Sequence, residues 1–290
     1  MRIAIGIATR GRPNILREVL EELDLQTRAP DRILVCHVTD SDVDDLPNRF
    51  PGVEFLRSPA GLPRQRNRIL DAIGNCDAVL FLDDDFIAAP RWLEALEAVL
   101  IARPDCVVAT GTVIADGAKG PGISPDEARG IIAADTPAAN LTAAHEHFNG
   151  YGCNMALRLA PVREHALRFD EKLPLYAWYE DIDLTRRLLP FGTILRLEGA
   201  RGVHLGVKLG RVPGLRLGYS QVVNPIYLAR KGSFPWSHAI PSAGRHCLIN
   251  LLRSARPEPE VDRWGRFRGN LLGLWDILTG RADPERILTL

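Results

Sequence analysis

The 290-residue sequence predicts an α/β protein with a mostly parallel central sheet and flanking helices. Three observations predict it. Short apolar runs alternate with amphipathic helical stretches through the first part of the chain. The run from Ala78 to Leu82 is apolar or small without alternation, the pattern of a strand buried on both faces. That strand then emits three carboxylates in a row, Asp83, Asp84 and Asp85, at the kind of strand end where open α/β sheets bind ligands.

Taken in order, Ile3 to Ala8 is a first strand, and Thr9-Arg-Gly-Arg-Pro13 turns into a helix with Pro13 in its first turn. Ile15, Leu16, Val19, Leu20 and Leu23 share one helical face. Ile33 to Cys36 is a second strand, followed by a polar loop from His37 to Asp45 that is rich in carboxylates. A third strand, Val53 to Leu56, leads through a Pro/Gly segment into a helix with Arg64, Arg66, Asn67 and Arg68 on its polar side. Past the acidic strand, Trp92, Leu93, Leu96, Val99 and Leu100 mark a helix that starts near Pro90 and stops before Pro104. Val107 to Ile114 is another strand. Ala115 to Leu141 is rich in Gly, Pro, Ala and Asp with little periodicity, which predicts a mobile loop.

His145 to Leu157 is dense in hydrogen-bonding side chains before an apolar stretch. Trp178 to Leu184 opens a helix that Pro190 and Gly192 end, with Glu180, Asp181 and Asp183 in its first turn. The helix dipole favours negative charge there, so capping alone would account for them. Thr193 to Leu197 is a strand, Val203-His-Leu205 follows, and Gly206 to Gly218 reads as a Gly- and base-rich loop. From Arg245 onward helices alternate with a linker, Arg253 to Glu260. Trp264, Phe267, Leu271, Leu274 and Trp275, with Arg263, Arg266 and Arg268, admit two readings: a basic amphipathic helix against a membrane surface, or a helix packed on the core with exposed arginines.

Composition narrows the function. Lys+Arg and Asp+Glu are both 36, and no basic block is interleaved with aromatics, so a nucleic-acid partner is not expected. The five cysteines are scattered without a Cys-x-x-Cys pair, which fits reduced thiols and excludes a zinc ribbon or disulfide framework. With no signal-peptide pattern and no membrane-length apolar run, the expected location is cytoplasmic, peripheral at the inner face of a membrane if the C-terminal helices reach it.

Three adjacent carboxylates repel one another unless they face water or share a divalent cation. Together with the acidic pair at Glu180 and Asp181 and a histidine after a strand, His204, they supply a metal site and a separate carboxylate base. Displacement at a phosphorylated carbon needs both: a cation against the diphosphate and a base for the attacking hydroxyl.

Read together and in this order, Ile7-Ala-Thr-Arg10, Arg66-Asn67, Phe81-Leu-Asp-Asp-Asp-Phe86, Gly152-Cys-Asn-Met-Ala156 and Tyr179-Glu-Asp-Ile-Asp183 resemble the family 2 inverting glycosyltransferases of the GT-A fold. The resemblance implies a GT-A domain over residues 1–231, with a nucleotide-sugar half at about 1–114 and an acceptor half at about 115–231, then a C-terminal helical extension at 232–290. It implies Mn2+ or Mg2+ on Asp85, His204 and Asp83, with Asp83 also against the donor ribose and Asp84 on the donor side. Thr9 and Arg10 would line the nucleotide pocket, and Arg66 would reach the base or the diphosphate, where its forked donors match phosphate. Asp181 would be the general base, and Glu180, Trp178 and Asn154 would hold the acceptor side.

In one place the sequence departs from the family. An aspartate usually follows the second strand to read the nucleobase; here His37 stands there, so either the strand runs on through Val38 and Asp40 serves, or His37 reads a different base. Val223 to Lys231 is similar to the closing segment of relatives that transfer rhamnose or galactose in surface-polysaccharide assembly. A Gln-x-x-Arg-Trp motif is absent, so a non-processive enzyme is implied, using a UDP- or dTDP-sugar donor and a saccharide or lipid-linked saccharide acceptor. Two alternatives stand beside it. A sugar nucleotidyltransferase would need a Gly-rich phosphate loop with a lysine, which Thr9-Arg-Gly-Arg-Pro13 is not; a non-catalytic nucleotide-sugar-binding protein would not need the intact triplet with Asp181.

Overall fold

The computed structural model describes residues 1–136, 139–207 and 213–290. The chain forms two compact units: Met1–Ala60 with Arg64–Arg168 and Arg187–Gly210, and Gly61–Pro63 with Phe169–Arg186 and Arg211–Leu290. In chain order the elements are β1 (Ile3–Ala8), α1 (Pro13–Leu23), β2 (Arg32–His37), α2 (Leu46–Arg49), β3 (Val53–Arg57), α3 (Leu62–Ala72), β4 (Ala78–Asp83), β5 (Phe86–Ala88) and α4 (Trp92–Ala102). Then come β6 (Cys106–Asp116), α5 (Pro125–Ala134), β7 (Ala144–Glu146), β8 (Asn154–Arg158), α6 (Leu159–Glu164), α7 (Glu180–Leu188), β9 (Thr193–His204), α8 (Gly214–Lys231), α9 (Trp236–Ser254) and α10 (Arg263–Leu278).

The first unit holds the sheet, in the order β3-β2-β1-β4-β8-β6-β9-β5, with β7 also pairing with β9. Its β3-β2-β1-β4 side is wholly parallel, as expected of apolar runs joined by helical crossovers. Burial explains the composition of the central strands: Ile3, Ile5, Ile7, Val79, Leu80 and Phe81 are all fully buried. β8 is inserted antiparallel between β4 and β6, and β6 runs parallel to β9. The expected face of α1 is the buried one, with Leu16, Val19, Leu20 and Leu23 against the core.

Several expectations need correction. The stretch Ala115 to Leu141 is not a continuous loop, since Pro125–Ala134 is helix α5, opened by a capping box between Ser124 and Glu127. It is tied down: Arg129 pairs with Glu18 at 3.1 Å and Glu22 at 3.0 Å, and Arg201 pairs with Asp135. Residues 137–138 of that stretch lie outside the described residues. Phe86–Ala88 adds a short strand that the sequence did not suggest, while helix α4 begins at Trp92, near Pro90 as expected. The separate pieces expected at 193–197 and 203–205 are one strand, β9, pairing on both sides. Gly214 to Gly218, expected as loop, is the first turn of α8, and 208–212 lie outside the described residues.

In the second unit α8, α9 and α10 pack together. Two glycines set how closely α8 meets α10: a Cβ on Gly218 would stand 2.0 Å from the Arg266 carbonyl oxygen, and one on Gly269 would stand 2.1 Å from that of Leu215. A buried polar node closes the three-helix contact, in which Asn250 Nδ2 donates to Gln221 Oε1 (3.0 Å) and Asn270 Oδ1 (2.9 Å), and Asn270 donates to the Gly218 carbonyl (2.7 Å). The second unit thus takes in α8, on the near side of the boundary expected at residue 231. Among the described residues no helix is long and apolar enough to cross a membrane.

Candidate active site

The acidic triplet in the first unit straddles the end of β4: Asp83 is its last residue, and Asp84 and Asp85 form the turn that leads into β5. Asp84 turns inward, where its Oδ2 accepts from Thr9 Oγ1 at 2.7 Å and its Oδ1 from Arg12 Nη1 at 2.9 Å. Burial pushes the Asp84 carboxyl up to about 7, with Arg12 pulling against it. Asp83 and Asp85 meet His204, and Asp85 also shares the Arg12 guanidinium at 3.4 Å. The carboxylate and imidazole ligand atoms of these three residues all lie within 4.8 Å of one another.

The β5–β9 pairing creates this juxtaposition. It sets Phe86 opposite His204 and lets the Leu205 N–H donate to the Asp85 carbonyl at 2.8 Å. His204 Nε2 then lies 3.4 Å from Asp85 Oδ1, while its Nδ1 donates to Asp116 Oδ1 at 2.9 Å. The ends of β6 and β9 come so close that only glycine fits: a Cβ on Gly117 would stand 2.1 Å from the Leu205 carbonyl oxygen. Burial alone would lower the His204 pKa, but Asp116 and Asp85 raise it to about 10. Burial likewise opposes Asp85 ionisation, yet His204, Arg12 and the Val207 N–H hold its carboxyl below the usual range. For Asp83 burial wins over Arg66, and the pKa is raised.

The residues fit a divalent cation. Two carboxylate oxygens and one imidazole nitrogen converge, and the second imidazole nitrogen is fixed by Asp116, the arrangement that orients a metal-ligating histidine. Arg66 sits behind Asp83. Its buried guanidinium donates to Asp83 Oδ1 at 3.1 Å and the Gly152 carbonyl at 2.7 Å, and lies 5.6 Å from the Phe81 ring centroid. It holds the carboxylate in place from the sheet side.

Of the other expected residues in this unit, Thr9 is buried and committed to Asp84, and Arg10 is exposed. β2 ends at His37, and the Asp40 side chain in the loop beyond it is 86% exposed. His37 is buried, its Nδ1 3.0 Å from the Thr39 carbonyl oxygen. The carboxylate that closes this loop is Asp42. It accepts from the N–H groups of Gly11 (2.8 Å), Val38 (2.9 Å) and Thr39 (2.7 Å), and although burial pushes its carboxyl up, these bonds leave it lowered. Asn154 is fully buried, its Oδ1 accepting from Thr110 at 2.8 Å, and its Nδ2 has no partner among the described residues.

Sequence reasoning missed Arg12, Asp42, Asp116 and Gln65, the last donating to the carbonyls of Thr9 and Cys36 at the ends of β1 and β2. A signal existed for Asp42, because Thr39 and Asp42 have capping-box spacing.

In the second unit, Glu180, Asp181 and Asp183 occupy the first turn of α7 as expected. Asp183 is fully buried and pairs at 2.7 Å with Lys231, which also holds Asp170 at 2.6 Å; Asp183 is thus part of the scaffold. Glu180 is buried, and Asp181 is half-buried, its carbonyl accepting from Thr185 at 2.6 Å. The segment leading into this turn is strained, with Leu175, Ala177 and Tyr179 at φ values of 59°, 52° and 76°, the left-handed region that disfavours side chains. Trp178 lies in it, its carbonyl accepting from Asn224 at 2.9 Å and its indole N–H without a partner among the described residues.

The sequence model of the family described as "Glycosyl transferase family 2" matches residues 4–165. A glucosyl-dolichyl phosphate glucuronosyltransferase of Haloferax volcanii is 25% identical over 171 residues, covering 54% of this chain and 53% of that protein. The chain therefore spans about half the length of that curated relative. Among solved structures, residues 1–349 of TarS from S. aureus align over 100% of this chain and 83% of theirs, with 15% identity and a TM-score of 0.56. The same protein in complex with UDP-GlcNAc aligns with 16% identity and a TM-score of 0.55, over 100% of this chain and 84% of that one. GalNAc-T7 with UDP, GalNAc and Mn2+ aligns with 14% identity and a TM-score of 0.58, over 100% of this chain and 56% of that one. At these identities the structural likeness is one of fold.

Proposed function

The chain belongs to glycosyl transferase family 2 and has the GT-A fold, and on that premise we propose that it transfers a sugar from a nucleotide diphosphate sugar to a hydroxyl acceptor with inversion at the anomeric carbon. The observation that carries this reading is the convergence of Asp83, Asp85 and His204 within 4.8 Å at the end of a central strand. When bound there, Mn2+ or Mg2+ supplies positive charge against the diphosphate leaving group. The imidazole in the donor set favours Mn2+ over Mg2+, which prefers oxygen ligands.

The residues divide the work. Asp83, braced by Arg66, faces the donor; His204, braced by Asp116, and Asp85 complete the ligand set. Thr9 and Arg12 hold Asp84 so that the loop after β1 stays against the acidic strand. Asp181 accepts the proton of the acceptor hydroxyl as its oxygen bonds to the anomeric carbon and the bond to the diphosphate oxygen breaks. Glu180, Trp178 and Asn154 serve the acceptor sugar. The relative's name, a glucosyl-dolichyl phosphate glucuronosyltransferase, supports a lipid-linked saccharide as acceptor. UDP is the favoured nucleotide, supported by UDP in the TarS and GalNAc-T7 structures.

The test is a melting-temperature panel of UDP-, dTDP- and GDP-sugars with and without Mn2+, since a ligand of the folded state raises its stability. One nucleotide should give a metal-dependent shift that Asp85→Ala removes. Asp181→Asn should keep that shift and lower transfer by roughly 10²- to 10⁴-fold. Equal loss of donor binding in both variants contradicts the division of roles.

A further inference from the structure

We infer that the outward faces of α9 and α10 form a docking surface for an anionic lipid bilayer. Both helices are amphipathic in an unusual sense: each has a buried side of small and polar residues and an exposed side of large apolar ones. The buried side of α9 carries Ala239, Ala243 and Asn250, and that of α10 carries Gly269, Asn270, Gly273 and Asp276. The Asn250–Gln221 and Asn270–Gly218 hydrogen bonds turn these sides towards α8.

At 100° per residue, the positions opposite are Trp264, Arg268, Leu271, Trp275 and Leu278 on α10, spaced alternately four and three residues apart in one stripe. On α9 they are Arg245, Leu248 and Leu252, with Leu251 beside them. Exposure of these side chains is large: 59% for Trp264, 58% for Trp275, 81% for Leu278 and 66% for Leu252. Single exposed leucines are ordinary, whereas apolar stripes on two packed helices are an interaction surface.

Charge selects the occupant. The chain as a whole has no net charge, yet α9 carries no acidic residue and the sole acid of α10, Asp276, is fully buried and paired with Arg286; Glu258 in the linker takes up Arg253 and Arg263, which leaves Arg245 and Arg268 exposed on the two outward faces. Tryptophan and arginine both have an apolar body and a polar tip, and they settle at the depth where acyl chains give way to phosphates. Each surface arginine gains from an anionic leaflet. A second copy of the chain fits less well, because a two-fold contact through these faces would set arginines against arginines with no exposed acidic side chain on either helix to answer them. The surface is independent of which sugar or acceptor the chain uses.

Co-sedimentation of the whole chain with vesicles tests it. Phosphatidylcholine vesicles containing phosphatidylglycerol should bind the protein roughly tenfold or more tightly than pure phosphatidylcholine at low salt. Trp264→Ser with Trp275→Ser should lower partitioning about tenfold, and Arg245→Gln with Arg268→Gln should erase the preference for the anionic vesicles. Melting temperatures should stay within a degree or two of the parent, because the altered side chains are exposed. Absence of partitioning into either vesicle overturns the inference. So does a dimer in sedimentation equilibrium that the tryptophan pair of substitutions dissociates, which would identify a second copy as the occupant.

Discussion

Raising the pH should destabilise the metal-free protein through His204. The imidazole titrates at about 10 in the folded chain against an ordinary 6.5. A cationic group with a raised folded pKa contributes stability that is complete below the unfolded value and is lost as pH rises through the folded one. Between pH 7.5 and 9.5 the linkage relation for these two values removes about 2.5 kcal/mol. Asp84, at about 7, adds little in this window: its raised pKa costs stability between the ordinary carboxylate value and 7 and is nearly constant above it. Urea unfolding with chelator present, followed by circular dichroism at the two pH values, measures the loss. His204→Gln removes it, and groups that titrate elsewhere cancel in the comparison. On the proposed reading Mn2+ would displace the same proton, so calorimetry in buffers of different ionisation enthalpy should show close to one proton released per ion at pH 7.5. Parallel pH profiles for parent and His204→Gln would refute the assignment of the raised pKa to the Asp116–His204–Asp85 contacts.

Other perturbations probe the scaffold. Arg12→Ala leaves Asp84 and Asp85 buried beside each other without the guanidinium at 2.9 and 3.4 Å; it should cost about 3 kcal/mol in urea unfolding, and a neutral result would mean that Thr9 and Val207 suffice. Lys231→Met removes the ammonium between Asp170 and fully buried Asp183 and should cost about 3 kcal/mol, with Lys231→Met/Asp183→Asn recovering a good part; no recovery would locate the loss elsewhere. Ala177→Gly relieves a left-handed backbone at φ 52° and should raise stability by up to about 1 kcal/mol, read as a higher melting temperature. An unchanged or lower value would show that the segment carries no strain there.

The parts of the fold that were legible are those whose pattern is local. β1, α1 and β4 announce themselves by unbroken apolar runs and a single helical face, and burial of Leu16, Val19, Leu20 and Leu23 follows that face residue by residue. The triplet and His204 were visible as residue types, and the sheet brings Asp83, Asp85 and His204 together. What was hidden depends on contacts between distant strands. Asp116 matters only because β6 lies beside β9, and Arg12 only because the β1 loop reaches Asp84. β5 is three residues long and takes its identity from its partner. The Gly and Ala content around α5 masked its helical period, although the Ser124–Glu127 capping box was in plain view. In β9 the polar and small residues Glu198 to Gly202 break the apolar run; the register with β6 jumps there from Gly111–Leu197 to Thr112–Arg201, and pairing before and after the irregularity carries the strand across it.

The pairing of β5 with β9 also sets an order of events during synthesis. Asp85 leaves the ribosome well over a hundred residues before His204, on the order of ten seconds earlier. Over that interval β1 to β4 can already pair, but the acidic strand end has neither the imidazole nor the β9 edge that shields it. The 4–165 segment matched by the family model ends before β9 begins at Thr193, so an excised fragment with those limits would carry the carboxylates without their histidine. The nascent chain thus brings Asp83, Asp85 and His204 together only when its last strand docks, so the candidate site is completed late in folding rather than seeding it.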